Sequence, residues 1–340
     1  MRRLLLAAAA ATAAALTLSA CGTTEPSAGK GDTAEKKTGE RISLTDATGK
    51  KVELDGPAKK VVGTEWDVVE HLVALGVDPV GVADVKGYTA WDKAAPLKSA
   101  PSKNVPKDIG TRGEPSTDTV AALAPDLIVA TTDLPPAAVT QLQKIAPILN
   151  LKSADAKDPI GTMTKNLDLI AQATGTAEKA DKLKKDFDAK LAAGRQELEK
   201  AGHKGTKFAF ADGYLTGNKV SVRPFTSGSL IGAVNARLGL QNPWKVKGDP
   251  AYGLGATDVE GLTKLDKDAE FAYVANDTDK NSSVFTGALA DNAVWKSLPF
   301  VKANKVHRLP DGVWMFGGTM SMESYVDSVV TALTKNLTKK

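Results

Sequence analysis

The stretch 174–202, TGTAEKADKLKKDFDAKLAAGRQELEKAG, limits what the rest of the chain can be. Apolar residues recur at Ala180, Leu183, Phe187, Leu191 and Leu198, and Lys, Asp, Glu and Arg fill the other faces. That spacing predicts one amphipathic helix with a narrow buried stripe. No proline falls within 177–200, and the lone Gly194 is tolerable in a helix. At ~1.5 Å per residue such a helix runs about 40 Å, the span of a small domain. Segments of similar size lie on either side, each alternating short strands with helices. The predicted fold is therefore α/β: two Rossmann-like lobes with mostly parallel sheets, 41–173 and 203–340, joined by a strap helix over 174–202.

In the first lobe, Ile42/Leu44 and Val52/Leu54 alternate about a Thr48-Gly49 turn and predict a hairpin. Strands follow at VVGT (61–64), PVGVAD (79–84), DLIVAT (126–131) and PILNL (147–151). Helices are expected over 67–75, after the Ser116 cap, over 137–146 and over 160–173, with an irregular, Pro-rich passage at 91–110. In the second lobe the strands are KFAFAD (207–212), VSV (220–222), EFAYVA (270–275) and KVHRL (305–309). Its helices are expected over 229–238, 258–265, 288–296 and 319–333.

The N-terminus specifies a compartment. Arg2 and Arg3 precede an apolar run from Leu4 to Leu18 that ends in Leu18-Ser19-Ala20-Cys21. A basic start, a short apolar core and a small-residue cleavage site describe an export signal over 1–21. The run is shorter than the ~20 residues of a membrane span. Cys21 is the only cysteine, so no internal disulfide can form. Leu-Ser-Ala-Cys resembles the bacterial lipobox, which implies acylation of Cys21 and a lipid anchor on the outer face of the cytoplasmic membrane. Residues 22–40 contain no Val, Leu, Ile or aromatic residue and read as a flexible tether.

Forty-four basic residues nearly balance forty acidic ones, interleaved along helices, which gives no argument for nucleic acid. The three histidines, His71, His203 and His307, are far apart and form no metal-ligand spacing, which argues against a zinc or manganese site. There is no G-x-S-x-G, no P-loop, and no G-x-G-x-x-G between a strand and a helix. Binding is favoured over catalysis.

Three stretches carry a resemblance: VVGTEWDVVEHLVALGVDPVGVADVKGYTAWD (61–92), IGTRGEPSTDTVAALAPDLIVA (109–130) and DNAVWKSLPFVKANKVHRLPDGVWMFGGTMS (291–321). The chain resembles the iron–siderophore substrate-binding proteins of ABC importers, especially the ferric-hydroxamate binders. The resemblance implies a monomer with its ligand, an iron(III)–siderophore complex, in a shallow cleft between two lobes. It implies no cofactor and no protein metal ligand, because the chelator already fills the six positions around the iron. An ABC permease with its ATPase is the implied partner. A citrate or other carboxylate siderophore, haem or cobalamin remains an alternative ligand, and an exported enzyme reusing the lobes an alternative of another class.

Matched by position, Arg112 in GTRGEP resembles the arginine that hydrogen-bonds the oxygens around the iron. Trp91 resembles an aromatic wall of the first lobe; Tyr252, Trp314 and Phe316 resemble aromatics of the second. Trp66 and Trp295 read as core. Leu134 stands where a tyrosine can occur. Arg223 stands where the hydroxamate binders tend to be apolar, which would suit a more anionic ligand. Arg308 either faces the cleft or packs on the sheet edge. Asp118 and Glu260 each stand early on a helix, with apolar residues at matching offsets. Spacing alone reads them as ordinary first-turn acids. The resemblance instead implies that they dock the permease, with Glu114 and Glu65 as alternatives to Asp118.

Overall fold

The computed structural model describes residues 41–99, 103–217, 219–277, 279 and 283–335. The expected leader, Cys21 and the tether lie outside them. The described chain opens with a hairpin, β1 (Ile42–Thr45) against β2 (Lys51–Leu54). Asp46 Oδ1 closes its turn by accepting from the Thr48 and Lys50 amides at 2.8 and 2.9 Å.

The first lobe then alternates β3 (Val61–Gly63), α1 (Trp66–Ala74), β4 (Gly81–Val82), α2 (Val85–Trp91), β5 (Lys107–Asp108) and α3 (Thr117–Leu123). It finishes with β6 (Leu127–Thr131), α4 (Pro136–Leu142), β7 (Ile148–Leu151) and α5 (Pro159–Thr174). The five strands form a parallel sheet in the order β5-β4-β3-β6-β7. Both faces are covered, as a parallel sheet requires. Val61, Leu127, Val129 and Leu149 point into one core, and Val62, Ile128, Ala130 and Ile148 into another. The helix α2 was not expected from sequence. Only seven residues long, it shows no clear apolar period, and it is started by Asp84, whose carboxylate accepts from the Gly87 amide at 3.0 Å.

The helix α6 (Ala177–Lys200) crosses to the second lobe, which comprises β8 (Phe208–Thr216), β9 (Lys219–Pro224), α7 (Leu230–Arg237), β10 (Glu270–Val274) and α8 (Ala293–Ser297), then α9 (Pro299–Lys302), β11 (Val306–Leu309) and α10 (Thr319–Thr334). The sheet order is β11-β10-β8-β9, with β10 parallel to both its neighbours and β9 antiparallel to β8. Phe208, Phe210, Ala272 and Val274 face one core; Ala209, Ala211, Phe271 and Tyr273 face the other.

The apolar stripe of α6 is divided between the lobes. Ala180 and the half-buried Leu183 pack into the first lobe's core, while Phe187, Leu191 and Leu198 pack into the second's. Gly194 is buried where α10 comes close; a Cβ there would lie 2.7 Å from Val326 Cγ1. The glycine tolerated on propensity grounds is a contact point between helices.

Two expected helices of the second lobe are shorter. Over 258–265 only a 3-10 turn forms, Glu260–Lys264. Asp258 accepts from the Gly261 amide at 3.0 Å and the Thr263 hydroxyl donates to the Glu260 carbonyl at 2.6 Å, so side chains compete with the helical ladder. Over 288–296 the helix begins only after Asn292, which caps it by accepting from the Trp295 amide. Among the described residues no helix is long and apolar enough to cross a membrane.

Candidate functional site

The parallel strands of the first lobe deliver their following loops to one edge, where an α/β sheet binds ligands. Past β3, Glu65 caps α1 and accepts from the Trp66 amide at 2.9 Å, which places Trp66 and Asp67 in the first turn. Past β5 the chain folds back on itself: Gly110 adopts φ +99° and bridges Pro115, and the Ser116 amide returns to the Ile109 carbonyl at 2.6 Å. Arg112 is at the tip of this loop. Asp133 follows β6 and Ser153 follows β7.

Across the cleft, Arg223 lies on β9. Tyr252 sits in a loop wound around Asp249, which accepts from the Ala251 and Tyr252 amides at 2.9 and 2.8 Å and from Leu254 at 2.8 Å. Gly253 closes that loop at φ +66° against Gly228, where a Cβ would be 2.2 Å from the Gly228 carbonyl carbon. Trp314 and Phe316 follow β11.

These residues enclose a cavity of about 290 Å³. The first lobe lines it with Glu65, Asp67, Arg112, Thr131, Asp133 and Ser153, and the second with Arg223, Tyr252, Leu254, Trp314 and Phe316. A smaller cavity of about 40 Å³ lies against it, sharing Asp67, Ser153, Tyr252 and Phe316. Trp314 meets Phe316 edge-on at 5.2 Å, and Phe316 meets Tyr252 at 5.6 Å, a continuous aromatic flank.

Arg112 is placed with care. Its guanidinium carbon lies 4.2 Å from the Trp66 ring centre and 5.5 Å from that of Trp314, and one terminal nitrogen donates to Glu65 at 2.8 Å. Trp66 and Trp314 themselves meet edge-on at 4.7 Å, one from each lobe. Trp66 is buried, as expected of a core residue, yet it is also the surface on which Arg112 rests. Arg223 forks onto Asp212 through both carboxylate oxygens and lies 5.5 Å from the Phe316 ring. Burial lowers its pKa, but the Asp212 bonds outweigh this and the net shift is upward. Burial, then its hydrogen bond to the Asp133 carboxylate, and then the charge of that carboxylate, raise the Tyr252 phenol.

Of the residues singled out from sequence, Arg112, Arg223, Tyr252, Trp314 and Phe316 thus line one cavity. Trp91 does not; it ends α2, half-buried on the cluster of Trp66, Tyr88 and Trp314. Leu134 is buried in the first lobe's core, and Trp295 packs against Phe271, Phe285 and Phe300. Arg308 points elsewhere, onto Asp277 and Asp311 at 2.5 and 2.6 Å. Asp118 and Glu260 are exposed and make no ion pair with a described residue. His307 is buried 2.7 Å from Glu270, and burial pushes His71 down to about 4. Among the described residues no group of three or more His, Cys, Asp or Glu could hold a metal ion. Sequence reasoning missed Asp67, Asp133 and Asp212, and it offered Glu65 only as an alternative docking acid, whereas Glu65 lines the cavity and pairs with Arg112. The position of Glu65, Asp67 and Asp133, just past strand ends, was the available signal.

A family model for periplasmic binding proteins matches residues 61–313, which takes in both lobes and the helix between them. The chain belongs to the periplasmic binding protein family. As a periplasmic binding protein it is a solute-binding component, not an enzyme. It is similar to the probable siderophore-binding lipoprotein YfiY of Bacillus subtilis, 27% identical over 330 residues and 95% of each chain. It is likewise similar to the iron(3+)-hydroxamate-binding protein FhuD of Escherichia coli, 27% identical over 273 residues, 78% of this chain and 84% of that one. In fold, this periplasmic binding protein matches the Fe3+–Desferal-bound siderophore-binding protein FhuD of Vibrio cholerae. The TM-score is 0.70 at 23% identity, over 81% of this chain and 98% of that one.

Proposed function

We propose that the protein captures a ferric siderophore of the hydroxamate type in the cleft between its lobes and delivers it, unaltered, to an ABC permease for iron uptake. The relatives named above support the ligand class in general. The observation that carries the reading is Arg112, held over Trp66 and beside Trp314. A ferric trihydroxamate presents electron-rich oxygens on one side and hydrocarbon linkers elsewhere. The guanidinium has donors left for the oxygens after its single bond to Glu65, and the Trp314–Phe316–Tyr252 flank covers the linkers. Iron is cargo here, and the chelator supplies its ligands.

A citrate-type chelate would need net positive charge in the cleft. Arg223 is the residue such a reading rests on, and Asp212 takes its charge.

Asp118 and Glu260, exposed and unpaired with any described residue, are the proposed contacts for basic residues of the permease. Acylated Cys21 is the proposed anchor on the outer face of the cytoplasmic membrane.

The test is a titration followed by tryptophan quenching, since Trp314 lines the cavity and Trp66 lies beneath Arg112. Ferric desferrioxamine B is expected to quench saturably at submicromolar concentration, with no response to ferric dicitrate. The reverse preference, or indifference to every ferric chelate offered, would overturn the proposal.

A further inference from the structure

Every positive charge at the cleft already has its carboxylate: Arg112 has Glu65, and Arg223 has Asp212. Asp133 accepts from the Tyr252 hydroxyl. Asp67 is left over. It is only 9% exposed, yet it borders both the large cavity and the small one behind it. Its carboxylate accepts a single hydrogen bond, from the neighbouring Val68 amide at 2.7 Å, and no other described residue gives it a donor or a cation. A first-turn acid on α1 is favoured by the helix dipole. That accounts for its place on the helix but not for its burial against a cavity with no cation to pair it, where a carboxylate is costly.

Resting on the siderophore reading, we propose that Asp67, with Glu65 and Asp133 beside it, is a subsite for the protonated amine of a cationic ferric siderophore. It therefore selects chelates that carry an ammonium group over neutral and anionic ones.

An ammonium supplies what the site lacks, namely several donors and one positive charge. The groups that act on Asp67 agree. Glu65 at the cap of α1, Glu70 on α1 and Asp133 past β6 are acidic, and Arg112 is committed to Glu65. His71 is kept neutral by burial, and Tyr252 donates elsewhere. Burial first, then the charges of Glu65, Glu70 and Asp133, push the Asp67 carboxyl well above its ordinary range. Burial disfavours a lone carboxylate, and the charges of Glu65, Glu70 and Asp133 attract a cation, so an entering ammonium pairs with Asp67 and sends its proton to solvent.

The test uses the purified full chain and two probes, ferric desferrioxamine B with its terminal ammonium and the same complex acetylated on that nitrogen. The two share one iron centre and differ by one charge. The ammonium form is expected to bind at least about tenfold more tightly, the scale of one charged hydrogen bond. In Asp67→Asn, which keeps the shape and removes the charge, the ratio is expected to collapse toward unity. Equal affinity of the natural chain for both probes would overturn the subsite and leave the siderophore reading standing. Undiminished discrimination in Asp67→Asn would overturn the assignment to Asp67. Binding of neither probe would overturn both readings.

Discussion

Asp212 and Arg223 are direct partners in the β8–β9 ladder, and the guanidinium forks onto both oxygens of the carboxylate, with Nε 2.9 Å from Oδ1. A cation that looks, in sequence, like an invitation to an anionic ligand is thereby half of a neutral pair. The cavity then holds Glu65, Asp67 and Asp133 against Arg112 alone.

Removing Asp212 should release that charge. In Asp212→Asn the Arg223 fork loses its partner and faces the cavity as a free cation. The affinity for ferric dicitrate is expected to rise by about tenfold or more, the scale of a charge-assisted bond, while that for ferric desferrioxamine B falls. Paired titrations check this, and an unchanged ratio of the two affinities would show that Arg223 does not meet the ligand.

On the proposed function, Arg112 is the residue that meets the chelate oxygens. A charged hydrogen bond contributes roughly 1.5–3 kcal/mol, so Arg112→Ala should weaken binding about tenfold to a hundredfold. Arg112→Lys keeps the charge but loses the planar stack on Trp66, and should fall between the two. Quenching titrations of both variants decide it. An Arg112→Ala chain with the parent's affinity removes the residue from the site.

Gly194 lets α6 and α10 approach. A Cβ there meets Val326 at 2.7 Å and Leu238 at 3.0 Å. Gly194→Leu improves helix propensity by less than about 1 kcal/mol but overpacks a buried contact, at a cost of roughly 1–3 kcal/mol or more. A net loss of stability is expected in chemical denaturation. A stability equal to or above the parent's would mean that the helices separate freely.

The lobes are also joined by a buried acid cluster. Glu70 on α1 accepts from the Ser321 amide of α10 at 2.8 Å, and Ser321 Oγ lies 3.4 Å from Asp92. Burial, then the neighbouring Glu70, pushes Asp92 up to about 9. The folded state therefore holds a proton that the unfolded chain releases near pH 4. Between those values the unfolded state binds fewer protons, so this group lowers stability as pH rises, by at most about 1.4 kcal/mol per pH unit. Asp92→Asn has no such term, and its stability advantage over the parent should widen from pH 5 to pH 8. Denaturation curves at several pH values check the sign; a gap that narrows with rising pH contradicts it.

The strap helix and the strand–helix alternation were legible because each is a local matter. Periodicity reports which face of an element is buried, and a residue such as Phe187 or Leu149 declares that face whatever it packs against. The motif resemblance singled out Arg112, Trp314 and Phe316 in the same way, residue by residue. The sequence could not show which charges cancel. Arg112 and Glu65 are 47 residues apart, and nothing in either segment announces the other. Arg223 and Asp212 are closer, 11 apart, but depend on the β8–β9 hairpin folding antiparallel in one register. Asp67 reads as an ordinary first-turn acid until the second lobe closes over it. Local pattern determined the elements, and the motif resemblance singled out many of the cavity-lining residues. Only the meeting of loops from distant strands decided the charge of the cleft, because electrostatic pairing depends on distance in space, which burial periodicity does not encode.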